Sequence, residues 1–244
     1  GMARPIRGDI FANWTLRDEE VAVGRVLAPV APPNIIAIGL NYRKHAEETG
    51  AAIPSEPLIF AKLTSSVIAH GDPIILPAEA PSEVDFEAEL AVVIGTLCRN
   101  VSEADALNYV LGYTCANDVS ARDCQRRRDR QWTRGKSFDT FCPLGPYLVI
   151  DSGLNPNALR IRSQLGDQEM QNSSTSDMIF SVPSLISYLS HQFTLLPGTV
   201  ILTGTPEGVG IGRNPPRFLR PGDTITVEIQ GIGTLSNPVK AAHA

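Results

Sequence analysis

Apolar residues in this chain fall into many short runs rather than long helical faces. From residue 35 the runs IIAIG, LIFAKL, SVIAH and PIILP read as strands, cut by HGD and by proline. Between the first two, NYRKHAEETG predicts a short helix or turn closed by Gly50. DFEAELAVVIG, Asp85 to Gly95, ends in a run that predicts a buried strand. Ser102 is a fitting N-cap for a helix over EADALNYVLG, followed by a strand at YTCAND and a polar helix over SARDCQRRRDRQW. SVPSLISYLSHQF has helical spacing with Pro183 near its start, where proline is tolerated. LGPYLV, LRIRSQL, TVILTG and TITVEIQ add strands, the late ones separated by PGT and PGD turns. There is no regular strand–helix alternation, so the pattern predicts an α+β, β-rich architecture with a mixed sheet and a few short helices. Residues 2–33, ending in the proline-rich VLAPVAPPN, read as a short N-terminal extension on a main domain over 34–244.

Composition narrows the function classes. With 244 residues, 43% of them hydrophobic, there is apolar material for one substantial core. A formal net charge of -5 argues against a nucleic-acid partner, which requires a basic surface. No run of eighteen uninterrupted apolar residues occurs, so no membrane span is expected. Four cysteines without a CxxC pair read as reduced thiols and a cytoplasmic location. Four scattered histidines leave little for a His- or Cys-rich zinc site, so a bound metal would be held mainly by oxygen.

That oxygen is supplied by the acidic strand. Asp85, Glu87 and Glu89 stand at every second position, and in a strand residues two apart face the same way. Like charges on one face repel, and their burial is costly. A hard divalent cation such as Mg²⁺, Mn²⁺ or Ca²⁺ resolves the conflict, provided another strand contributes a further carboxylate. Asp118 is the leading candidate, with a plain helix N-cap as its other reading; Asp123 is expected to face water.

His45 and Glu48 are three apart in a helical turn, so the carboxylate can orient the imidazole as a general base for water. Lys136, between a glycine and an apolar run, either snorkels to solvent or aims its charge at an anionic substrate. Arg122 and Gln125 fall on one side of the polar helix, whereas Arg126, Arg127, Arg128 and Arg130 read as a solvated face. TGTPEGVGIG (203–212) lacks the features of a P-loop or dinucleotide fingerprint. It reads as a backbone nest for an oxyanion or carboxylate, or as a tight glycine connection.

Six segments, NYRKHAEE, FEAELAVVIG, GYTCANDVSARDCQ, GKSFDTFCPLGP, SSTSDMIFSVPSLISYLS and ILTGTPEGVG, resemble the fumarylacetoacetate hydrolase family in the same order. The resemblance spans roughly residues 34 to 240. It implies a β-rich mixed sandwich roll of the fumarylacetoacetase C-terminal-domain type, usually a homodimer, with Mg²⁺ or Mn²⁺ on Glu87, Glu89 and Asp118. It places a catalytic His–Glu pair on His45 and Glu48, the active-site lysine on Lys136, and substrate contacts on Arg122, Gln125 and Thr205. Asp85 has no metal role in that pattern and is a supporting or solvated carboxylate. The family's extra metal aspartate before the histidine is absent from IIAIGLNYRK, and its proline after the lysine of FxKPxS is Leu63 here. The implied substrate is a small 2-oxo acid, β-diketo or dicarboxylic, acting through an enolate. Hydrolysis of a C–C bond is the first expectation, because His45 and Glu48 suit water activation. Isomerisation and decarboxylation through the same enolate are the alternatives, and a metal-stabilised binding domain without turnover is a third.

Overall fold

The computed structural model describes residues 1–128, 131–150 and 153–242, so Arg130 and His243 lie outside the described residues. Two sheets carry the architecture. The larger has seven strands in the order Leu58–Lys62, Ile35–Gly39, Val200–Leu202, Ala88–Ile94, Val110–Asn117, Cys142–Val149 and Val67–Ile68. Its pairing is mixed: Ile35–Gly39 runs parallel to Val200–Leu202, while Ala88–Ile94 is antiparallel to both of its neighbours. The second sheet has five strands in the order Gln168–Ser174, Arg160–Leu165, Thr224–Ile229, Gly233–Ala241 and Ile74–Leu76.

Side-chain parity joins the sheets. Ala88, Leu90, Val92 and Ile94 enter one apolar layer with Ile161, Val227, Ile229 and Leu235 of the second sheet, which makes the body a sandwich. Ala91 and Val93 point the other way, among Ile35, Ala37, Val200 and Leu202. Glu89 shares their parity and therefore leaves the sandwich core. The helix Val182–Gln192 seals that core with Leu185, Ile186 and Leu189, and Ser181 caps it by accepting from the Ser184 amide. Each such buried side chain contributes about 1.5–3 kcal/mol. Residues before 34 form two small strand pairs, Met2–Ala3 with Val21–Ala22 and Ile6–Gly8 with Trp14–Leu16.

Three sequence expectations change. The helix over EADALNYVLG is only a 3-10 turn, Ala106–Tyr109, which Ser102 supports through the Asp105 amide. Val110 already belongs to the strand Val110–Asn117, because pairing along Ala88–Ile94 outweighs local helix propensity there. The polar helix is also broken, into Ser120–Ala121, a π-helical turn Cys124–Arg128 and a short helix Trp132–Lys136. Gly135 lets that helix sit on the turn, since a Cβ there would lie 2.9 Å from the Ala121 carbonyl oxygen and the Gln125 amide nitrogen. The acidic strand is interrupted as well. Val84–Asp85 pairs with Ser120–Ala121, and the ladder with Val110–Asn117 begins only at Ala88.

Candidate active site

The interruption at Phe86–Glu87 creates the site. Asn117 Oδ1 accepts from the Glu87 amide at 3.0 Å, and the Asp118 amide donates to the Glu87 carbonyl at 2.9 Å. These bonds satisfy backbone that the broken ladder leaves free and bring Asp118 beside Glu87. Glu87, Glu89 and Asp118 converge, with one carboxylate oxygen of each within 4.8 Å of the others, all three buried.

Cations surround two of the three acids. Lys136 Nζ donates to Glu87 Oε2 and to Asp118 Oδ2, each at 2.7 Å. Lys62 Nζ donates to Asp118 Oδ1 at 2.5 Å and to the Val119 carbonyl. Burial raises the Glu87 carboxyl, but Lys136 and then Arg122 outweigh it and hold the group at about 2. Burial opposes charge on Lys136 too, yet Asp118 and Glu87 overcome it and keep the ammonium above its ordinary range. Glu89 is different. Burial, then Asp118 and Glu87, push it well up, and its compensation is small: the Gly204 amide at 2.7 Å and the more distant charge of Lys136. The donor set fits a divalent cation: three carboxylates offer only hard oxygen, and the acid that resists ionisation is the one a second positive centre would relieve.

Arg122 is held from three sides. Its Nε donates to Asp85 Oδ2 at 2.8 Å and its Nη1 to Gln125 Oε1 at 2.9 Å. Nη2 stands 2.8 Å from Asp85 Oδ2 and 2.7 Å from Glu87 Oε1, which pairs the guanidinium with both carboxylates. Asp85 is accordingly fully buried rather than solvated, and it also accepts from the Gly210 and Ile211 amides at 2.7 and 3.0 Å.

The helix Arg43–Thr49 carries the imidazole, and Gly50 ends it in the left-handed conformation at φ 64°. His45 Nδ1 lies 3.1 Å from Glu48 Oε2, while Glu48 Oε1 accepts from the Gly208 amide at 3.0 Å. Burial pushes the Glu48 carboxyl up, but the bonds from His45 and Gly208 prevail and lower it. An ionised Glu48 can only accept, so Nδ1 carries the proton and Nε2 is left as the basic nitrogen.

A cavity of about 340 Å³ gathers His45, Glu87, Arg122, Gln125, Lys136 and Thr205 on its polar side, with Ile38, Leu58, Phe60 and Trp132 on its apolar side. Glu89 and Asp118 lie behind Glu87 and Lys136, and Glu48 lies behind His45. Thr205 Oγ1 donates to the Ala88 carbonyl and accepts from Gln171 Nε2. The Trp132 ring occupies the space beside Gly39, where a Cβ would meet it at 2.5 Å. Lys136 Nζ sits 5.1 Å from the centre of the Phe60 ring.

Three participants lie outside the residues that the sequence singles out. Lys62, a charge closing the apolar strand LIFAK, was a visible signal; Gln171 and Asn117 gave none. Arg126 is exposed, as a solvated face requires, and its side chain also lines the cavity. Arg127 and Arg128 do turn outward, to Glu83 and Asp123. Asp123 itself is half-buried rather than open to water. The glycine-rich segment is a nest whose amides are taken by the protein's own acids: Gly204 by Glu89, Gly208 by Glu48, and Gly210 and Ile211 by Asp85.

Residues 34–240 match the family described as fumarylacetoacetate (FAA) hydrolase C-terminal. A fumarylacetoacetate hydrolase domain-containing protein 2 homolog of Dictyostelium discoideum is 50% identical over 227 residues, 88% of this chain and 74% of that protein. A mitochondrial oxaloacetate tautomerase of Xenopus laevis is 49% identical over 217 residues, 88% of this chain and 68% of that protein. The crystal structure of 2-hydroxyhepta-2,4-diene-1,7-dioate isomerase from Mycobacterium marinum superposes with a TM-score of 0.88 at 41% identity, covering 100% of this chain and 89% of that one.

Proposed function

The chain belongs to the fumarylacetoacetate hydrolase family of enzymes, and on that premise we propose that it interconverts the keto and enol forms of a 2-oxo dicarboxylic acid. One observation carries the reading: His45, Lys136 and Glu87 line one cavity, and Glu87 belongs to the Glu87–Glu89–Asp118 cluster. The tautomerase and isomerase names of relatives at 49% and 41% identity support it, and they move proton transfer ahead of the C–C hydrolysis expected first.

Glu87, Glu89 and Asp118 would hold a Mg²⁺ or Mn²⁺ ion, which supplies Lewis-acid charge for the oxygens of the 2-oxo acid head. The chain's residues do the rest. His45 Nε2 takes a proton from the carbon next to the keto group, and Glu48 stabilises the imidazolium that forms. Lys136 spends two of its three N–H donors on Glu87 and Asp118, which leaves one for the oxygen on which charge develops. The proton returns from His45 to that oxygen, or in the reverse sense to carbon. Gln125 and Thr205 border the same space and limit how the substrate lies.

The test is an absorbance assay of oxaloacetate enol–keto exchange with Mg²⁺ or Mn²⁺, against a metal-only control. His45→Ala should lose about 10²–10⁴-fold in rate, the usual worth of a positioned acid–base group. Wild-type protein no faster than metal alone would overturn the reading. The His45–Glu48 bond also favours a second reading, activation of water to cleave an acylpyruvate-type substrate, which the same samples reveal by product mass.

A further inference from the structure

The polar side of the cavity holds three cations, and two of them are already committed. Lys136 is shared between Glu87 and Asp118. Arg122 is bound to Asp85, Glu87 and Gln125. The third is Arg126. It lies three and four positions after Asp123 and Arg122 on the same turn, so Arg122 and Arg126 come round to one side. Its two successors are satisfied elsewhere, Arg127 by Glu83 at 2.7 Å and Arg128 by Asp123 at 3.1 Å. Arg126 is exposed, and among the described residues it forms no ion pair and no hydrogen bond, while its side chain also lines the cavity. Partial desolvation and then the neighbouring charge of Arg122 depress its guanidinium, as befits a cation whose anion is not supplied by the protein.

The acid cluster and Lys136 serve one end of a ligand, the 2-oxo acid head, and most of the remaining lining is apolar: Ile38, Leu58, Phe60 and Trp132. A carbon chain crossing such a wall needs a counter-charge for any second anionic group, and among the described residues Arg126 is the lysine or arginine of the cavity that no carboxylate of the protein pairs. We infer that Arg126 is the specificity-determining residue of the cavity, its guanidinium receiving the distal carboxylate of a 2-oxo dicarboxylic acid. A planar fork of N–H donors suits a carboxylate in two-point contact. The inference rests on the cavity being a 2-oxo acid site, as proposed above, and assigns the group that distinguishes a dicarboxylate from a monocarboxylate.

The test compares ligands that differ only in that group: oxaloacetate with 2-oxobutanoate, and 2-oxohexanedioate with 2-oxohexanoate. Affinities are measured by calorimetry with Mg²⁺ present, for wild type, Arg126→Gln and Arg126→Lys. Wild type should prefer the dicarboxylate of at least one pair by about tenfold or more, as a charge-assisted contact provides. Arg126→Gln should bring that ratio toward unity, and Arg126→Lys should retain part of it. A ratio that survives intact in Arg126→Gln, or no preference in wild type, overturns the inference. Turnover in the same samples separates the two readings. A charge preference that depends on Arg126 without any enol–keto exchange removes the tautomerase reading and leaves the role of Arg126 standing.

Discussion

Asp85 and Arg122 form an ion pair at 2.8 Å in the interior, and each is also bound by a second structure: Asp85 by the Gly210 and Ile211 amides, Arg122 by Gln125. The pair thus ties the glycine-rich segment to the turn that carries the cavity's arginines.

Removing one partner of a buried pair strands the other charge. Asp85→Ala should therefore cost about 3–5 kcal/mol, read as a shift in the urea midpoint at unchanged slope. A loss below about 1 kcal/mol, the worth of an exposed pair, would show that Asp85 anchors nothing.

Glu89→Gln should act oppositely on the two properties of the acid cluster. Without divalent metal, melting should occur at or above the wild-type temperature, because the variant removes a carboxyl that burial, Asp118 and Glu87 all disfavour as an anion. The Gly204 amide keeps a carbonyl acceptor. Mg²⁺ or Mn²⁺ should raise the wild-type melting temperature and move the variant little. The loss of metal affinity should be at least the roughly 10–100-fold that disturbing an outer-sphere partner costs. Equal metal shifts in both proteins would remove Glu89 from the ligand set.

Glu48 sets a pH signature. Its carboxyl lies below the ordinary 4.5 because the bonds from His45 and Gly208 outweigh partial burial. A depressed carboxyl contributes stability that is fully present above the unfolded-state value and is lost as pH falls through the folded one. The melting difference between wild type and Glu48→Gln should thus be largest above the ordinary carboxyl range and shrink as pH falls below it. A difference constant across that window would count against the bonds assigned to Glu48.

Two glycines close together should fail in different ways. A Cβ on Gly210 would lie 2.1 Å from the Arg217 carbonyl oxygen and 2.5 Å from Asp85 Oδ1, so Gly210→Ala should cost about 1–3 kcal/mol or more. The three atoms nearest a Cβ on Gly212 all belong to the Glu48 carboxylate, at 2.7 to 3.0 Å, and that side-chain end can move aside. Gly212→Ala should cost less in denaturation than Gly210→Ala and lower the turnover rate by loosening His45. Equal destabilisation by both substitutions would contradict the separation.

Much of the site was legible because its signals are local. Glu87 and Glu89 announce themselves by alternation, and His45 with Glu48 by helical spacing. Asp118 was reachable only as a carboxylate needed from another strand. What stayed hidden depends on where the chain turns. Alternation treated Asp85 as a third member of one face, whereas the ladder breaks at Phe86–Glu87 and sends it to Arg122. Four arginines in a row of five read as one polar surface, and Arg126, Arg127 and Arg128 are indeed exposed; only the π-turn decides that Arg126 also borders the cavity. The helix expected over 103–112 lost to strand pairing, a contest between segments that no local window contains.

The nest at 203–212 also bears on how such a protein can change over generations. Three carboxylates, from the helix Arg43–Thr49 and from either side of the Phe86–Glu87 break, are gripped by main-chain amides of one segment. Main-chain donors are not encoded by any particular side chain, so most point substitutions there leave the grip in place; only a misplaced Cβ or a proline can undo it. The apolar side chains at the cavity wall, Ile38, Leu58, Phe60 and Trp132, hold no carboxylate. Selection can therefore rewrite which molecule enters while the apparatus that handles the proton is inherited unchanged.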